Sequence, residues 1–112
     1  MSDSMEFFDP LAHEGFGWTS DEAHPDGVSE MLLHDDGDFR TRLLRFEPGV
    51  ETDAVLTHDF YEEVYIISGG LVDTRLDEAF TAGMYAYREP GMEHGPYRAP
   101  VGCQTIEFRY YR

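Results

Sequence analysis

From Val28 onward, apolar and polar residues alternate in short runs, and each run ends at a turn-forming cluster. The breaks are Asp35-Asp36-Gly37, Pro48-Gly49, Gly69-Gly70, Asp77-Glu78, Pro90-Gly91 and Ala99-Pro100-Val101-Gly102. Glycine tolerates positive φ there, proline presets a turn dihedral, and aspartate bonds back to nearby backbone. The runs between them are strand-sized and mostly rich in β-branched or aromatic residues. They are Val28 to Leu33, Phe39 to Phe46, Ala54 to His58, Glu63 to Ser68, Leu71 to Leu76, Met84 to Tyr87, Gly95 to Arg98 and Cys103 to Tyr111. No segment carries the period of a long amphipathic helix. Many short strands at regular spacing predict an all-β sandwich or barrel over residues 28–112.

Residues 1–27 read differently. Pro10, Pro25 and several glycines make this an irregular leader, yet Phe7, Phe8, Phe16 and Trp18 are too many aromatics for a solvated tail. The leader is expected to pack on the barrel or on a second subunit. At 112 residues the chain has room for one core and no internal repeat.

Charge narrows the partners. The chain has 23 Asp plus Glu against 8 Arg and no Lys, a formal net charge of -15. Neither nucleic acid nor an anionic membrane is expected as a partner: both bind through Lys and Arg, and this chain repels them. The composition fits a GC-rich genome or adaptation to high salt. Cys103 is the single cysteine, so no intramolecular disulfide can form. With no apolar stretch of membrane length and no signal-like start, the expectation is a cytoplasmic protein.

The chemistry-bearing residues lie mid-chain. His58 and Glu62 stand at the two sides of a tight connection, where their side chains can converge, and a strand pleat puts Glu62, Val64, Ile66 and Ser68 on one face. His94 follows Pro90-Gly91. Each also has a plainer reading: His58 as a turn residue before Asp59, Glu62 with Glu63 as a charged strand end, His94 as a loop histidine. His13, His24 and His34 read as surface loop histidines and Cys103 as a small buried hydrophobe. Tyr65, Tyr85, Tyr87, Phe108 and Tyr110 read as core or interface. Arg45, Arg88 and Arg98 are candidate anchors for a carboxylate, with surface ion pairing as the blander account.

The segment from Pro48-Gly49 through Thr57-His58 and Glu62 to Gly69 resembles the first motif of the cupins, in which a glycine precedes a His-x-His pair, a Glu follows, and a Gly closes a hairpin. His58 falls at the second histidine, Glu62 at the glutamate and Gly69 at the closing glycine; Glu63 with Gly70 also satisfies the spacing. Gly83 followed by Glu89-Pro90-Gly91-Met92-Glu93-His94 resembles the second motif, with Gly91 and His94 in register and the proline displaced by one. The resemblance implies a cupin-type jelly-roll β-barrel in which His94 joins His58 and Glu62 to hold a divalent metal ion. Leu56 stands where the first histidine is expected. Two imidazoles and one carboxylate suit Fe, Zn, Mn, Ni or Co. The implied function is a metal-dependent enzyme acting on a small carbonyl or phenolic compound, foremost a dioxygenase or related carbon–carbon cleaving enzyme, with Glu62 as ligand or general base. The alternatives are a non-catalytic small-molecule-binding or sensing cupin and a decarboxylase, lyase or isomerase. A homodimer is the expected assembly.

Overall fold

A computed structural model describes residues 5–20 and 24–112. The strands are β1 (Val28–Asp35), β2 (Phe39–Phe46), β3 (Val50–Glu51), β4 (Tyr61–Asp73), β5 (Glu78–Thr81), β6 (Tyr85–Arg88), β7 (Tyr97–Ala99) and β8 (Cys103–Tyr110). All pairings are antiparallel, in the order β1-β2-β8-β4-β7-β3, with β5 and β6 also on β4. The sheet curls on itself as a cupin-type jelly roll, as expected. Among the described residues no helix is long and apolar enough to cross a membrane.

The alternation read from sequence sets the inner face. Leu44 and Phe46 of β2, Ile66 and Leu71 of β4, Ala99 of β7 and Cys103 of β8 meet Val28 in one buried cluster. Burial pushes the Cys103 thiol up to about 11, so this cysteine packs as a hydrophobe and is no nucleophile at neutral pH.

Two strand expectations are corrected. Gly69-Gly70 is no turn: β4 runs straight through it for 13 residues, pairing with β8 before it and with β5 and β7 beyond it. Gly69 has φ +70, and a Cβ there would stand 2.1 Å from the Gly102 carbonyl oxygen, so the glycine permits a close backbone crossing rather than a reversal. A bulge between Ile66 and Ser68 accompanies the bend, which leaves Ser68 exposed and turns Leu71 and Asp73 inward. The expected strand Ala54 to His58 is reduced to one bridge between Leu56 and His94. Its partner segment continues into Gly95, with φ 79, and Pro96, which has no N–H to extend a ladder.

The leader's described part touches the barrel at its edge. Thr19 exchanges backbone bonds of 2.8 Å with Glu30 of β1, Ser20 Oγ donates to the Val28 carbonyl, and the Arg45 guanidinium lies 4.1 Å over the Trp18 ring. Phe8, His13 and Phe16 form a small aromatic cluster of their own, with Phe7 fully exposed.

Candidate metal centre

His58 sits in the loop between β3 and β4, Glu62 on the inner face of β4, and His94 in the loop between β6 and β7. Two backbone ties bring the loops together. The Leu56 and His94 peptides bond to each other at 2.8 and 3.0 Å, and the Gly91 N–H donates to the His58 carbonyl at 2.9 Å. One donor atom from each of His58, Glu62 and His94 then lies within 4.8 Å of the others. The two Nε2 atoms face each other at 3.1 Å. Two imidazoles sharing one metal at about 2.1 Å place their nitrogens roughly 3.0–3.4 Å apart, so the pair already has the spacing of co-ligands. Glu63, the competing carboxylate, points outward and accepts from the Tyr85 and Tyr110 hydroxyls.

Electrostatics favours neutral imidazoles. Burial is the main cause that pushes His94 down to about 3, with the charge of Arg88 adding to it. His58 is lowered as well: burial, Arg109 and Arg88 outweigh the pull of Glu62. Glu62 is only 1% exposed, yet its carboxyl stays below the usual range. Burial alone would raise it, but Arg88 at 2.7 Å and Arg109 at 3.3 Å each take one carboxylate oxygen. The donor set therefore fits a divalent ion: two lone pairs free of protons and one carboxylate. The guanidiniums compete for that carboxylate, and Leu56 supplies no fourth ligand.

The site opens on a polar cavity of about 640 Å³ inside the barrel, which Leu56 and His58 both line. Six of the charged side chains on its walls pair in two groups. Arg42 bonds Glu107 at 2.8 Å and Glu30 at 2.6 Å, while Arg88 and Arg109 hold Glu62. Tyr97 accepts from Arg88 at 2.9 Å, and the Phe60 ring stacks on His58 at 4.5 Å.

Several residues stand elsewhere than expected. Arg88 is an interior ion-pair partner and no surface residue, Arg45 lies under Trp18, and Arg98 is exposed. His24 lines the polar cavity with its side chain 12% exposed, 3.9 Å from Glu30, and so is no surface histidine. Tyr65, Tyr85, Tyr87 and Phe108 are exposed on the outer sheet face, so of the two readings, core or interface, core does not hold for them. Arg42, Glu107 and Arg109 were not singled out by sequence. Their signal was available: Arg42 alternates with inward Leu44 and Phe46, and Glu107 and Arg109 with inward Cys103 and Thr105.

Comparison with known proteins bears on the family and the fold. A family profile described as the ChrR cupin-like domain matches residues 16–109. No curated protein matches. An RmlC-like cupin from Shewanella frigidimarina NCIMB 400 is similar at TM-score 0.73 and 20% identity, covering 97% of this chain and 93% of that one. An acetylacetone dioxygenase from Acinetobacter johnsonii is similar at TM-score 0.72 and 19% identity, over 96% of this chain and 76% of that one. ChrR from Rhodobacter sphaeroides, solved as an anti-sigma in complex with SigE, gives TM-score 0.66 at 22% identity, over 85% of this chain and 50% of that chain. With the fold and a family profile spanning most of its length in accord, the chain belongs to the ChrR cupin-like domain family of the cupin superfamily.

Proposed function

We propose that this domain holds a divalent metal ion through His58, Glu62 and His94 and acts on a small carbonyl or phenolic compound, with oxygen-dependent carbon–carbon cleavage as the reaction. The observation that carries the reading is the 3.1 Å imidazole pair beside a buried carboxylate at the wall of a 640 Å³ cavity. The metal would supply a Lewis acid for a substrate oxygen and a centre for oxygen chemistry. The protein's own groups do the rest. Arg88 and Arg109 orient Glu62, Phe60 fixes the plane of His58, and Tyr97 steadies Arg88. Glu62 serves as a ligand in this reading, since a carboxylate held below its usual range is a weak proton acceptor.

The test is oxygen uptake by iron-loaded protein with a panel of 1,3-diketones, catechols and keto acids. Uptake with a single class at a rate at least about tenfold over the His58→Ala variant is the expected result. Conversion without oxygen uptake moves the reading to a decarboxylase, lyase or isomerase. A second reading, a non-catalytic sensing module, is favoured by the two guanidiniums that occupy both Glu62 oxygens and by the likeness to an anti-sigma protein. Metal bound with no substrate converted would select it.

The proposal includes a cytoplasmic homodimer, with residues 1–27 as a leader on a barrel of 28–112. On a chain of net charge -15, the outer face over β8, β4 and β6 carries Ile106, Phe108, Tyr65, Ile67, Tyr85 and Tyr87 with Glu63 as its acidic group, already capped by two tyrosine hydroxyls. Three strands with the neighbouring Phe39 row cover about 500 Å² per copy, so a two-fold pair buries about 1,000 Å², the threshold of a stable interface. Phe108→Asp is expected to convert a dimer to monomer in light scattering coupled to size exclusion. An unchanged mass would remove this face from consideration.

A further inference from the structure

The barrel contains a second, apolar chamber that the metal centre does not use. β6 pairs with β4 alone, so the wall is not hydrogen-bonded between β6 and the loop that carries His94. A cavity of about 150 Å³ opens at that seam. Its walls are mainly Val64, Ile66, Leu71, Phe80 and Ala86, with the carboxylates of Asp73 and Glu93 also on its lining. Its rim is formed by Leu76, Met84, Tyr85 and Met92, all four large, apolar and about half exposed. Val64, Leu71, Arg88, His94 and Tyr97 line this chamber and the polar cavity alike, so the two spaces adjoin across these side chains beside the metal centre.

Exposed apolar side chains scattered singly mean little, but four gathered on one mouth mark a binding site. Methionines at such a rim adapt to the shape of what enters. A volume of roughly 150 Å³ is enough to hold one benzene ring, and most of this chamber's surface is apolar. Resting on the reading of the site as a metal centre for small carbonyl or phenolic compounds, we propose that the seam chamber binds a monocyclic aryl group. The substrate class is then an aryl ketone or substituted phenol, its ring among Val64, Leu71 and Phe80 and its oxygen directed past His94 toward the polar cavity.

The experiment compares 4-fluoroacetophenone with acetone, which keeps the carbonyl and lacks the ring, by ligand-observed NMR titration of the full metal-free chain. The aryl ketone is expected to bind at least about 100-fold more tightly, the yield of burying one ring. Ala86→Phe fills the chamber from β6 and Met92→Trp narrows its mouth. Each is expected to weaken the aryl ketone at least tenfold while leaving the Co²⁺ absorption of the metal centre unchanged. His58→Ala should abolish that absorption and leave aryl binding within threefold. Equal affinity for the two ketones, or full aryl binding in a folded Ala86→Phe or Met92→Trp protein, overturns the proposal. Aryl binding without any Co²⁺ absorption in the unaltered protein upholds the chamber and sinks the metal reading instead.

Discussion

Replacing His94 with alanine is expected to strip the domain of its divalent ion, lowering affinity at least about 100-fold while the barrel stays folded. The test is metal analysis of tag-free protein after dialysis: near-stoichiometric metal in the unaltered protein, and almost none in the variant. Loss of fold is not expected to confuse the result. His94 is buried and its Nδ1 has no hydrogen-bond partner, so alanine removes packing and one contact, that of Nε2 with His58, which lines the open cavity and can take water instead. The pH dependence gives a second readout. Because both imidazoles are held below their ordinary pKa, protons should compete with the metal only on the acid side, and Co²⁺ affinity should stay flat from about pH 8 to 6.5. In the metal-free protein stability has the same sign. The folded state keeps His94 neutral down to about 3, whereas the unfolded chain takes up the proton from about 6.5, so stability is lost as pH falls through that window. The His94 share is about 2 kcal/mol between pH 6.5 and 5, and His94→Ala should remove it from the urea midpoints. Identical acid slopes in the two proteins would contradict the assigned shift.

Arg42→Met is expected to destabilise the barrel by about 3–5 kcal/mol, the largest effect on stability foreseen for a single change. Arg42 sits between Glu107, 5% exposed, and the half-buried Glu30, and its removal takes the guanidinium from both carboxylates, leaving His24 at 3.9 Å beside Glu30. Glu107 retains only the Thr105 hydroxyl at 3.2 Å. The attraction of the pair is partly offset by the cost of taking both charges out of water, so removing the two together should be far milder than removing one. The double variant Arg42→Met/Glu107→Leu should therefore recover at least half of the loss in urea unfolding. An additive double variant would mean that the two side chains do not depend on each other.

The same ion pairs show how far local sequence reaches. His58, Glu62 and His94 could be picked out because the glycines, the prolines and the spacing around them form a linear pattern. Arg109 lies 47 residues from Glu62, and Arg42 lies 65 from Glu107. Their partnership follows from β4 and β2 flanking β8, which no stretch of sequence encodes locally. The choice between Glu62 and Glu63 is settled by one step of pleat: pairing with β8 and β6 turns Glu62 toward the lumen and Glu63 toward Tyr85 and Tyr110. Gly69-Gly70 was misread for a related reason. Glycine serves a turn and a close backbone crossing equally well, and the Gly102 carbonyl that decides between them comes from a distant part of the chain.

By itself, then, the sequence determined an all-β sandwich or barrel, the places where most strands break and, through its resemblance to the cupin motifs, His58 and His94 with Glu62 or Glu63 as candidate ligands. Period-two alternation and turn chemistry act over a few residues and are visible in any short window. The tertiary structure alone decided that β4 runs on through its glycines, that Arg88 and Arg109 hold Glu62, and that a chamber remains at the seam beside β6. Each of these depends on strand pairing between distant segments, where burial selects the partner and the linear pattern does not.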